Sequence, residues 1–479
     1  MATYNSPGVY IKDVKSGSQT IAQTSASVGA MIGATRSGLV GVAQLVTSFT
    51  EFINLYANGL DTPFMSNSAL AYAVHGFFTN GGQQLYIGRV ASKTAKKSHI
   101  STESGINVTA KYEGAWGNDI TITIKKSADW VDTENEIFDV TVAIGTGDKV
   151  IVSEVTIDTI VSAVMSNTKI SNWIEEFTLE AETYTKIVEE TFTLTGGADG
   201  VDDLTDADYT KALEMLDLVA SEVTLVSIPA QTSKVVNDSL MSYCDDKGLF
   251  PILDMPMGST VKETKDYRKS VSAQGGCLVY PWGKMNDPLT NSLKLVPACG
   301  HVMGVYARTI EERGIHKAPA GVDASVRGFV EMETPLTQAD IELLNPVGVV
   351  CITSRPNVGI VIWGARALTN DPTMKYVSDV LINQYIKRNL YNGTQFAVFE
   401  PNTEVLWNTI TATCKAFLET LRTQGALKGE AEEAYYVTCD ASNNTDLSVN
   451  DGELNIEIGY APVKPAEFVI IKLAHTIEV

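Results

Sequence analysis

Residue types that could carry out catalysis occur in this sequence without the neighbours that catalysis requires. Ser166 and Lys169 form a Ser-x-x-Lys pair, but the Ser-Asp-Asn and Lys-Thr-Gly motifs that accompany it in serine acyl-transfer enzymes are missing. No P-loop, His-Glu-x-x-His or Gly-x-Ser-x-Gly pattern occurs. We interpret His75 as a packing or capping residue of a helix, and the other histidines are far from it in sequence (His99, His301, His316, His475). We therefore predict no catalytic residue. An α/β enzyme with a β-rich accessory domain stays open, because triads assemble from distant positions.

Metal-binding patterns are equally incomplete. The six cysteines form no Cys-x-x-Cys pair and are interpreted as reduced thiols of a cytosolic protein (Cys244, Cys277, Cys299, Cys351, Cys414, Cys439). Residues 446–457 imitate an EF-hand calcium loop, but Gly452 falls one position late and no helix pair flanks it, so we predict a hairpin loop. The glutamates crowded between 175 and 190 indicate a solvated face, with a calcium site as the alternative. We predict neither a metal nor a cofactor.

Composition indicates a folded protein whose main partners are other proteins. The 479 residues are 44% hydrophobic and 19% charged, enough for two to four domains with real cores. With 36 basic and 57 acidic residues the formal net charge is −21, which argues against nucleic acid or an anionic membrane as a direct partner. The start has no basic, apolar signal-peptide pattern. No apolar run approaches the roughly 20 residues needed to cross a bilayer.

Hydrophobic periodicity predicts a multidomain α/β (α+β) protein. A short arm at 1–20 is followed by a middle α/β domain built from 21–92 plus 197–345, where buried strands alternate with helices. An inserted β-rich outer domain is predicted at 93–196, since residues 120–124 alternate strictly between apolar and polar. The elements of the middle domain are expected as strands at 27–33, 85–90, 223–228 and 249–254, and helices at 50–56, 66–79 and 206–219.

The last part, 346–479, is predicted to be a two-layer α/β domain. Asp371 and Pro372 are interpreted as the cap and first residue of a helix that reaches Tyr391. A second helix over 402–423 presents an apolar stripe and is expected to end at Gly425 (Leu406, Ile410, Cys414, Phe417, Leu418, Leu421). Strands are predicted at 434–439, 453–460 and 467–479.

The final strand, 467–479, is long and apolar although no later segment can pair with it. From Val469 the alternate residues form one apolar face (Val469, Ile471, Leu473, Ile477, Val479). Such a strand at a chain end favours pairing with a neighbouring subunit. An ordinary edge strand of its own domain is the alternative.

Several segments, in order along nearly the whole chain, resemble the tail sheath proteins of contractile injection systems, which include contractile-tailed bacteriophages and R-type bacteriocins. One turn, 296–300, departs from the Pro-Pro-Ser-Gly of many relatives. The segments that carry the resemblance are Tyr4-Asn-Ser-Pro-Gly-Val-Tyr-Ile11, Phe77-Phe-Thr-Asn-Gly-Gly82, Leu85-Tyr-Ile-Gly-Arg-Val90, Gly196-Gly-Ala-Asp-Gly200, Tyr280-Pro-Trp282, Tyr306-Ala-Arg308, Lys317-Ala-Pro319, Trp363-Gly-Ala-Arg366, Phe399-Glu-Pro-Asn402, Leu406-Trp407 and Ala461-Pro-Val-Lys-Pro-Ala-Glu-Phe468.

The resemblance implies a structural subunit that stacks in rings around an inner tube and contracts to drive the tube through a target envelope. It implies that both chain ends add strands to neighbouring subunits, through Val9, Tyr10, Ile11, Val469, Ile471, Leu473 and Ile477. It also suggests that the helix at 402–423 faces the tube, with Lys415, Arg422 and Lys428 as the contacts; a solvated helix face is the alternative. Expected partners are further copies, the inner tail tube protein, and baseplate and tail terminator proteins, with assembly in the bacterial host cytoplasm. A non-contractile self-assembling tube or shell protein is a further alternative.

Overall fold

The computed structural model describes residues 21, 25–58, 62–127, 136–145, 147–180, 188–271, 275–467 and 470. The predicted N-terminal arm therefore lies outside the described residues, as do the residues proposed for strand exchange (Val9, Tyr10, Ile11, Val469, Ile471, Leu473, Ile477). The described residues fall into two compact units. The larger draws on 24–386 and 464–479, and the smaller on 1–23 and 387–463.

The strands include long buried ones in the larger unit and short ones near the C-terminus. In chain order they are β1 Gly29–Gly33, β2 Ala43–Val46, β3 Leu85–Arg89, β4 His99–Ser101, β5 Ile106–Ala110, β6 Ile120–Lys126, β7 Phe138–Ile144, β8 Lys149–Val155, β9 Ile174–Leu179, β10 Glu190–Thr193, β11 Leu225–Ser227, β12 Phe250–Asp254, β13 Cys277–Tyr280, β14 Gly283–Asn286, β15 Leu293–Val296, β16 Glu331–Met332, β17 Val349–Arg355, β18 Gly359–Ile362, β19 Tyr435–Thr438 and β20 Glu457–Tyr460.

The helices range from single turns to 20 residues. They are α1 Phe49–Tyr56, α2 Leu70–Thr79, α3 Ile160–Ser166, α4 Asp206–Ala212, α5 Lys234–Lys247, α6 Val261–Ser270, α7 Cys299–Arg313, α8 Gln338–Leu344, α9 Val377–Thr394, α10 Glu404–Thr423, α11 Ala431–Ala434 and α12 Asp446–Asn450. None of the described helices is long and apolar enough to span a membrane. The mixture of sheets and helices confirms the predicted α/β class.

An eight-stranded sheet forms the centre of the larger unit, in the order β18-β17-β13-β12-β11-β1-β3-β2. Its inner neighbours are parallel, and β2 and β18 pair antiparallel at the two edges. Strands β1, β3 and β12 are buried along their whole length, as expected when helices cover both faces of a parallel sheet. The chain moves from β1 to β3 on one side and returns to β11 on the other, which makes the sheet doubly wound.

Helices α4, α5, α6 and α8 pack on one face of this sheet, and α2 and α7 on the other. Ala30 and Ile32 of β1 belong to the core on the α4–α5 side. Helices α2 and α7 approach closely because Gly300 has no side chain: a Cβ there would lie 2.2 Å from the Ala73 carbonyl oxygen. Because successive residues of β1 point to opposite faces of the sheet, this strand contributes to the hydrophobic packing on both faces.

The segment between β3 and α4 has a hydrophobic core of its own. Strands β10-β6-β7-β8 form one antiparallel sheet and β4-β5-β9 another. Burial alternates along β6 and β7, so one face of the sheet is apolar and the other meets solvent. Trp116, Phe138 and Phe177 are among the largest side chains of this core.

In the smaller unit, the apolar stripe predicted for α10 is buried (Leu406, Ile410, Cys414, Phe417, Leu418, Leu421). Helix α10 packs on β19, which pairs antiparallel with β20. The hairpin predicted for the EF-hand-like segment is present, with the short helix α12 in its connection. Strand β20 begins at Glu457 rather than near 453.

The predicted start of the helix at Asp371 is wrong. In the larger unit, Asp371 accepts a hydrogen bond from the backbone N–H of Thr373 and caps only a 3₁₀ turn, Pro372–Met374. The α-helix begins at Val377. Residues 375–377 instead run beside 365–367 and form an isolated bridge between Arg366 and Tyr376. The backbone groups of this bridge are hydrogen-bonded to the neighbouring segment, so the helix begins only after them.

Candidate assembly site at the C-terminal segment

In doubly wound folds, ligands usually bind at the edge of the sheet formed by the carboxyl ends of the parallel strands. Here the polar groups at that edge contact the protein itself. Asp254 accepts hydrogen bonds from the backbone N–H groups of Cys299 (2.9 Å) and Ala230 (3.1 Å). Burial raises its pKa. Arg89 donates to the carbonyl oxygens of Gly38 and Glu113. Asp254 and Arg89 at this edge are therefore engaged in hydrogen bonds within the protein. They do not support the alternative that this chain is an enzyme.

His75 and His301 both pack against aromatic rings. His75 lies edge-on to the ring of Phe49 at 5.0 Å, as expected for a packing role. His301 is fully buried and stacks on Phe329 with ring centroids 3.8 Å apart. Burial lowers the pKa of His301 to about 3. No three His, Cys, Asp or Glu side chains of the described residues are grouped to hold a metal ion.

Several polar side chains converge on Glu467, at the start of the predicted terminal strand. Its carboxylate accepts two hydrogen bonds from Arg366, Nε to Oε1 at 2.7 Å and one terminal N–H to Oε2 at 2.9 Å. Asn345 donates to Oε1 at 2.7 Å and the Tyr376 hydroxyl to Oε2 at 3.1 Å. The Lys375 ammonium lies 3.4 Å from Oε2. We call these five residues the carboxylate clamp.

Local structure fixes each member of the clamp. Asn345 opens a 3₁₀ turn after α8, and this turn ends at Gly348 in the left-handed conformation. Arg366 follows the edge strand β18, and its bridge with Tyr376 brings the loop before α9 alongside it. The guanidinium and hydroxyl donors therefore converge on one point, since the backbones beside them are hydrogen-bonded, Ala367 N–H to the Lys375 carbonyl and Val377 N–H to the Ala365 carbonyl.

The electrostatics of the clamp favour an ionised carboxylate. Burial raises the pKa of Glu467, but the hydrogen bonds from Arg366, Asn345 and Tyr376 outweigh it and bring the pKa to about 2. The Glu467 and Arg366 side chains are each only 16% exposed. A two-point guanidinium–carboxylate pair has both strength and a fixed direction. The clamp therefore fixes both the position of Glu467 and the orientation of its side chain.

A second ion pair lies three residues earlier. The Lys464 ammonium is 2.8 Å from the carboxylate of Asp379, whose side chain has no exposure, and it also donates to the Thr373 carbonyl at 2.8 Å. Just before it, in the smaller unit, the backbone N–H of Val463 donates to the Ala426 carbonyl at 3.1 Å. The chain is thus held closely on both sides of the 463–464 peptide bond. Past the clamp, Ile470 is 81% exposed.

Of the three residues predicted to face a tube, two are free of ion pairs in the part of the chain that the structure describes. Lys415 lies exposed on α10 and Lys428 exposed after it. Arg422 instead binds Glu419 at 2.9 and 2.7 Å. Hydrogen bonds from Arg422 and from the Tyr435 hydroxyl lower the pKa of Glu419 to about 2. This local pairing of Arg422 was missed from the sequence, although the spacing of three residues on a helix is its usual signal.

Sequence reasoning also missed the clamp. Arg366 and Glu467 both lie in segments that carried the family resemblance, but nothing in either segment connects them. The available signal was chemical: a glutamate at the start of the predicted apolar strand 467–479, and an arginine shortly after the apolar strand β18. Charged residues in such positions are commonly paired.

The comparisons with known proteins agree with each other. Family models for the phage tail sheath protein match this chain, the central domain over residues 202–368 and the C-terminal domain over 369–476. The tail sheath protein of Escherichia phage P2 is 26% identical over 266 residues, which is 52% of this chain and 64% of that protein. A putative prophage major tail sheath protein of Pseudomonas aeruginosa is 25% identical, over 45% of this chain and 55% of its own length. The matches to both relatives thus span less than two thirds of their length.

Solved structures share the fold along almost the full chain. The sheath complex of an extracellular contractile injection system, PVC, in its contracted state has a TM-score of 0.61 at 19% identity, covering 100% of this chain and 99% of that one. The sheath tail protein of Desulfitobacterium hafniense has a TM-score of 0.65 at 17% identity, covering 90% and 94%.

The fold is that of a multidomain α/β protein in which the carboxylate clamp holds Glu467 on the larger unit. With both domain models matched in order over 202–476, the chain belongs to the phage tail sheath protein family.

Proposed function

We propose that this chain is the repeating subunit of a contractile tail sheath. It polymerises around an inner tube through β-strands exchanged between subunits, and its contraction drives the tube through the envelope of a target cell. The carboxylate clamp is the observation that carries this proposal, because it holds Glu467, the first residue of the predicted strand 467–479, on the larger unit. Its relatives are structural tail sheath proteins by name, which favours a non-enzymatic role.

The small sheet of the smaller unit supplies a place for a donated strand. Among the described residues, β19 and β20 pair only with each other, over four residues each. An isolated two-stranded sheet of this size is marginal in water, whereas a third strand would stabilise it. A strand from residues 469–477 or 9–11 of another copy would pair with an open edge of this sheet by main-chain hydrogen bonds.

The exposed face of α10 is the proposed contact with the tube. Lys415 on α10 and Lys428 shortly after it are exposed and make no ion pair with any described residue, whereas Arg422 is neutralised locally by Glu419. Lys415→Glu and Lys428→Glu should therefore weaken binding to an acidic tube surface, more strongly at low salt. Arg422→Glu should do so less specifically, since it also breaks the pair with Glu419. Co-sedimentation of each variant with the tube measures this binding. If all three variants bind the tube as strongly as the original chain, the proposed contact is refuted.

In the assembled particle the subunit would belong to the tail sheath, built in the host cytoplasm and joined to a baseplate at one end and a terminator at the other. The matched structures include a baseplate of the anti-feeding prophage, which supports the baseplate contact. Direct contact with nucleic acid or membrane is not expected of a surface with this net negative charge.

Negative-stain microscopy of the concentrated protein tests the proposal. Helical sleeves are expected from the full chain, and a chain ending at residue 467 should stay monomeric and folded, because the clamp itself is retained. Thermal denaturation of the shortened chain checks its folding. Discrete small particles from the full chain, or sleeves from the shortened one, would refute strand donation by the C-terminal segment.

A further inference from the structure

The larger unit carries a basic groove, although the chain as a whole has a net charge of −21. The groove has a volume of about 420 Å³ and lies between α6, the turn after α8 and the loop that precedes α9. Its charged lining is cationic apart from one aspartate (Lys265, Arg268, Lys269, Arg366, Lys375, Asp371). Positive groups gathered in a concave site raise the local concentration of anions.

Part of this charge is compensated inside the chain. Lys269 pairs with Asp266 at 2.7 Å, and Arg366 and Lys375 contact Glu467 of the clamp. Together with the aspartate of the lining, these carboxylates balance three of the five cations. Among the described residues, two positive charges of the groove are therefore left without a counterion.

Lys265 and Arg268 form no ion pair with any residue that the structure describes. They are three positions apart on α6, so their side chains are neighbours on one face of the helix, and both line the groove. Arg268 is half-buried, and its Nε donates to the Val347 carbonyl at 2.8 Å. A neutral carbonyl returns only part of the free energy that removing a guanidinium from water costs. The terminal N–H groups of Arg268 have the geometry to bind an oxyanion.

The size and charge of the groove define the class of anion that it fits. Its volume of about 420 Å³ is typical of a small-molecule site, for which the usual range is about 300–1,000 Å³. A single carboxylate would neutralise only one of the two remaining charges. A diphosphate carries two or more charges with oxygens in several directions, so the planar fork of Arg268 and the point charge of Lys265 can bind it from different sides.

The groove shares two residues with the carboxylate clamp. Arg366 and Lys375 line the groove and also contact Glu467. The Lys375 side chain is 40% exposed and its ammonium lies 3.4 Å from the carboxylate, so it can turn from Glu467 toward an anion in the groove. The charge of that anion also repels the Glu467 carboxylate across a partly buried site, where screening is weak. An anion in the groove therefore weakens the hold on Glu467.

We propose that the groove beside α6 binds a small diphosphate anion through Lys265 and Arg268, and that this anion competes with Glu467 for Arg366 and Lys375. Binding of the anion favours release of the C-terminal segment from the clamp. By linkage, release of Glu467 strengthens anion binding by the same factor. Neither the site nor the competition requires a sheath, because both are properties of a single chain.

Isothermal titration calorimetry with inorganic pyrophosphate, in a buffer without divalent cations, tests the site. The original chain should bind one pyrophosphate, and Lys265→Gln with Arg268→Gln should weaken binding at least tenfold, because both contacts lose their charge. Lys265→Gln alone keeps the hydrogen bond of Arg268 and should weaken binding about threefold, which keeps the test decisive if the double variant does not fold. Lys125→Gln with Lys149→Gln, at exposed positions of the inserted segment, makes the same charge change as the double variant and should leave binding unchanged.

Two further probes define the ligand more closely. Adenosine diphosphate carries the same diphosphate group as part of a nucleotide. Tighter binding than that of pyrophosphate would support the site and assign it to a nucleotide, and equal or weaker binding would support recognition of the diphosphate alone. Succinate carries two carboxylates and should bind at least tenfold more weakly than pyrophosphate. Equal binding of succinate would overturn the assignment to phosphate.

Competition with the clamp is measured in both directions. Saturating pyrophosphate, at an ionic strength held constant with sodium chloride, should accelerate cleavage by proteinase K between residues 463 and 467 on the order of tenfold. The variant that carries Lys265→Gln and Arg268→Gln should show no acceleration, which also controls for any effect on the protease. Glu467→Gln should bind pyrophosphate more tightly by a similar factor, because Arg366 and Lys375 lose their counterion.

The site and the competition can each be overturned separately. Absence of saturable binding, or equal binding by the original chain and the double groove variant, would overturn the site. Cleavage that bound pyrophosphate leaves unchanged or slows, or an unchanged affinity of Glu467→Gln, would overturn the competition. Microscopy keeps the proposed function apart from both, since a chain that binds pyrophosphate as expected but never forms sleeves would refute the sheath function alone.

Discussion

Replacing Glu467 by glutamine removes one charge from the carboxylate clamp and nearly preserves its shape. The pKa of Glu467 falls from 4.5 to about 2 in the folded chain, which corresponds to about 3 kcal/mol of stabilisation at neutral pH. Since the side chain is 16% exposed, only a small part of this is screened by solvent. Loss of about 3 kcal/mol would raise the population of the released segment on the order of 100-fold.

Pulsed proteolysis with proteinase K, which has broad specificity, followed by mass spectrometry, measures that population. Cuts between residues 463 and 467 require the segment to leave the clamp, and their rate follows the open population when opening and closing are fast. We expect Glu467→Gln to accelerate these cuts by about 10–100-fold while the melting temperature changes little, because the release is local. Glu453→Gln is the matched control, since that side chain is exposed and makes no ion pair among the described residues.

The pH dependence gives a second test of the same reasoning. Because folding lowers the pKa of Glu467, the stabilisation is complete above about pH 4.5 and is lost as the pH falls toward 2. With pepsin between about pH 5 and 3, the original chain should approach the cleavage rate of Glu467→Gln, whose own release has no such dependence. Equal cleavage of the two proteins at neutral pH, or a constant difference between them down to pH 3, would refute the clamp.

Two further predictions concern the packing of α7. Gly300→Val should lower stability by about 3 kcal/mol or more, because its Cβ would lie 2.2 Å from the Ala73 carbonyl; an unchanged denaturation midpoint would show that α2 and α7 can move apart freely. Burial lowers the pKa of His301 to about 3. The free energy of unfolding should therefore be highest above about pH 6.5 and fall with decreasing pH, by about 3 kcal/mol at pH 4, because only the unfolded chain takes up the proton there. His301→Leu should remove this slope in thermal denaturation at pH 7 and pH 4, and an identical acid sensitivity of the two proteins would assign the acid loss to other groups.

Periodicity predicted those elements whose neighbours in sequence are also their neighbours in space. The stripe of α10 from Leu406 to Leu421 is one example, since a helix buries residues three and four apart wherever it packs. The strict alternation at 120–124 is another, because one face of β6 is apolar and the other wet. These patterns are local, and the sequence displays them directly.

Contacts between distant segments had no such signal. Arg366 and Glu467 are 101 positions apart, and their pairing depends on the bridge between Arg366 and Tyr376, which also delays α9 to Val377. A capping rule placed the helix start at Asp371 because it considers only the next few residues. The tertiary bridge overrode that local preference. The clamp and the misplaced helix start therefore have one cause.

The clamp also bears on how a sheath could contract without losing its exchanged strands. If a neighbouring copy holds residues beyond 468, tension on that strand reaches Glu467 and Lys464 before it reaches β20, because both side chains are ion-paired on the larger unit. The hydrogen bonds between β19 and β20 are then shielded from the load. In Glu467→Gln the load would pass to Lys464 alone, whose side chain is partly exposed. Sleeves of this variant should therefore assemble but shed subunits on contraction, which microscopy of samples triggered with denaturant at neutral pH would reveal. Intact contracted sleeves of the variant would show that the strands themselves carry the tension.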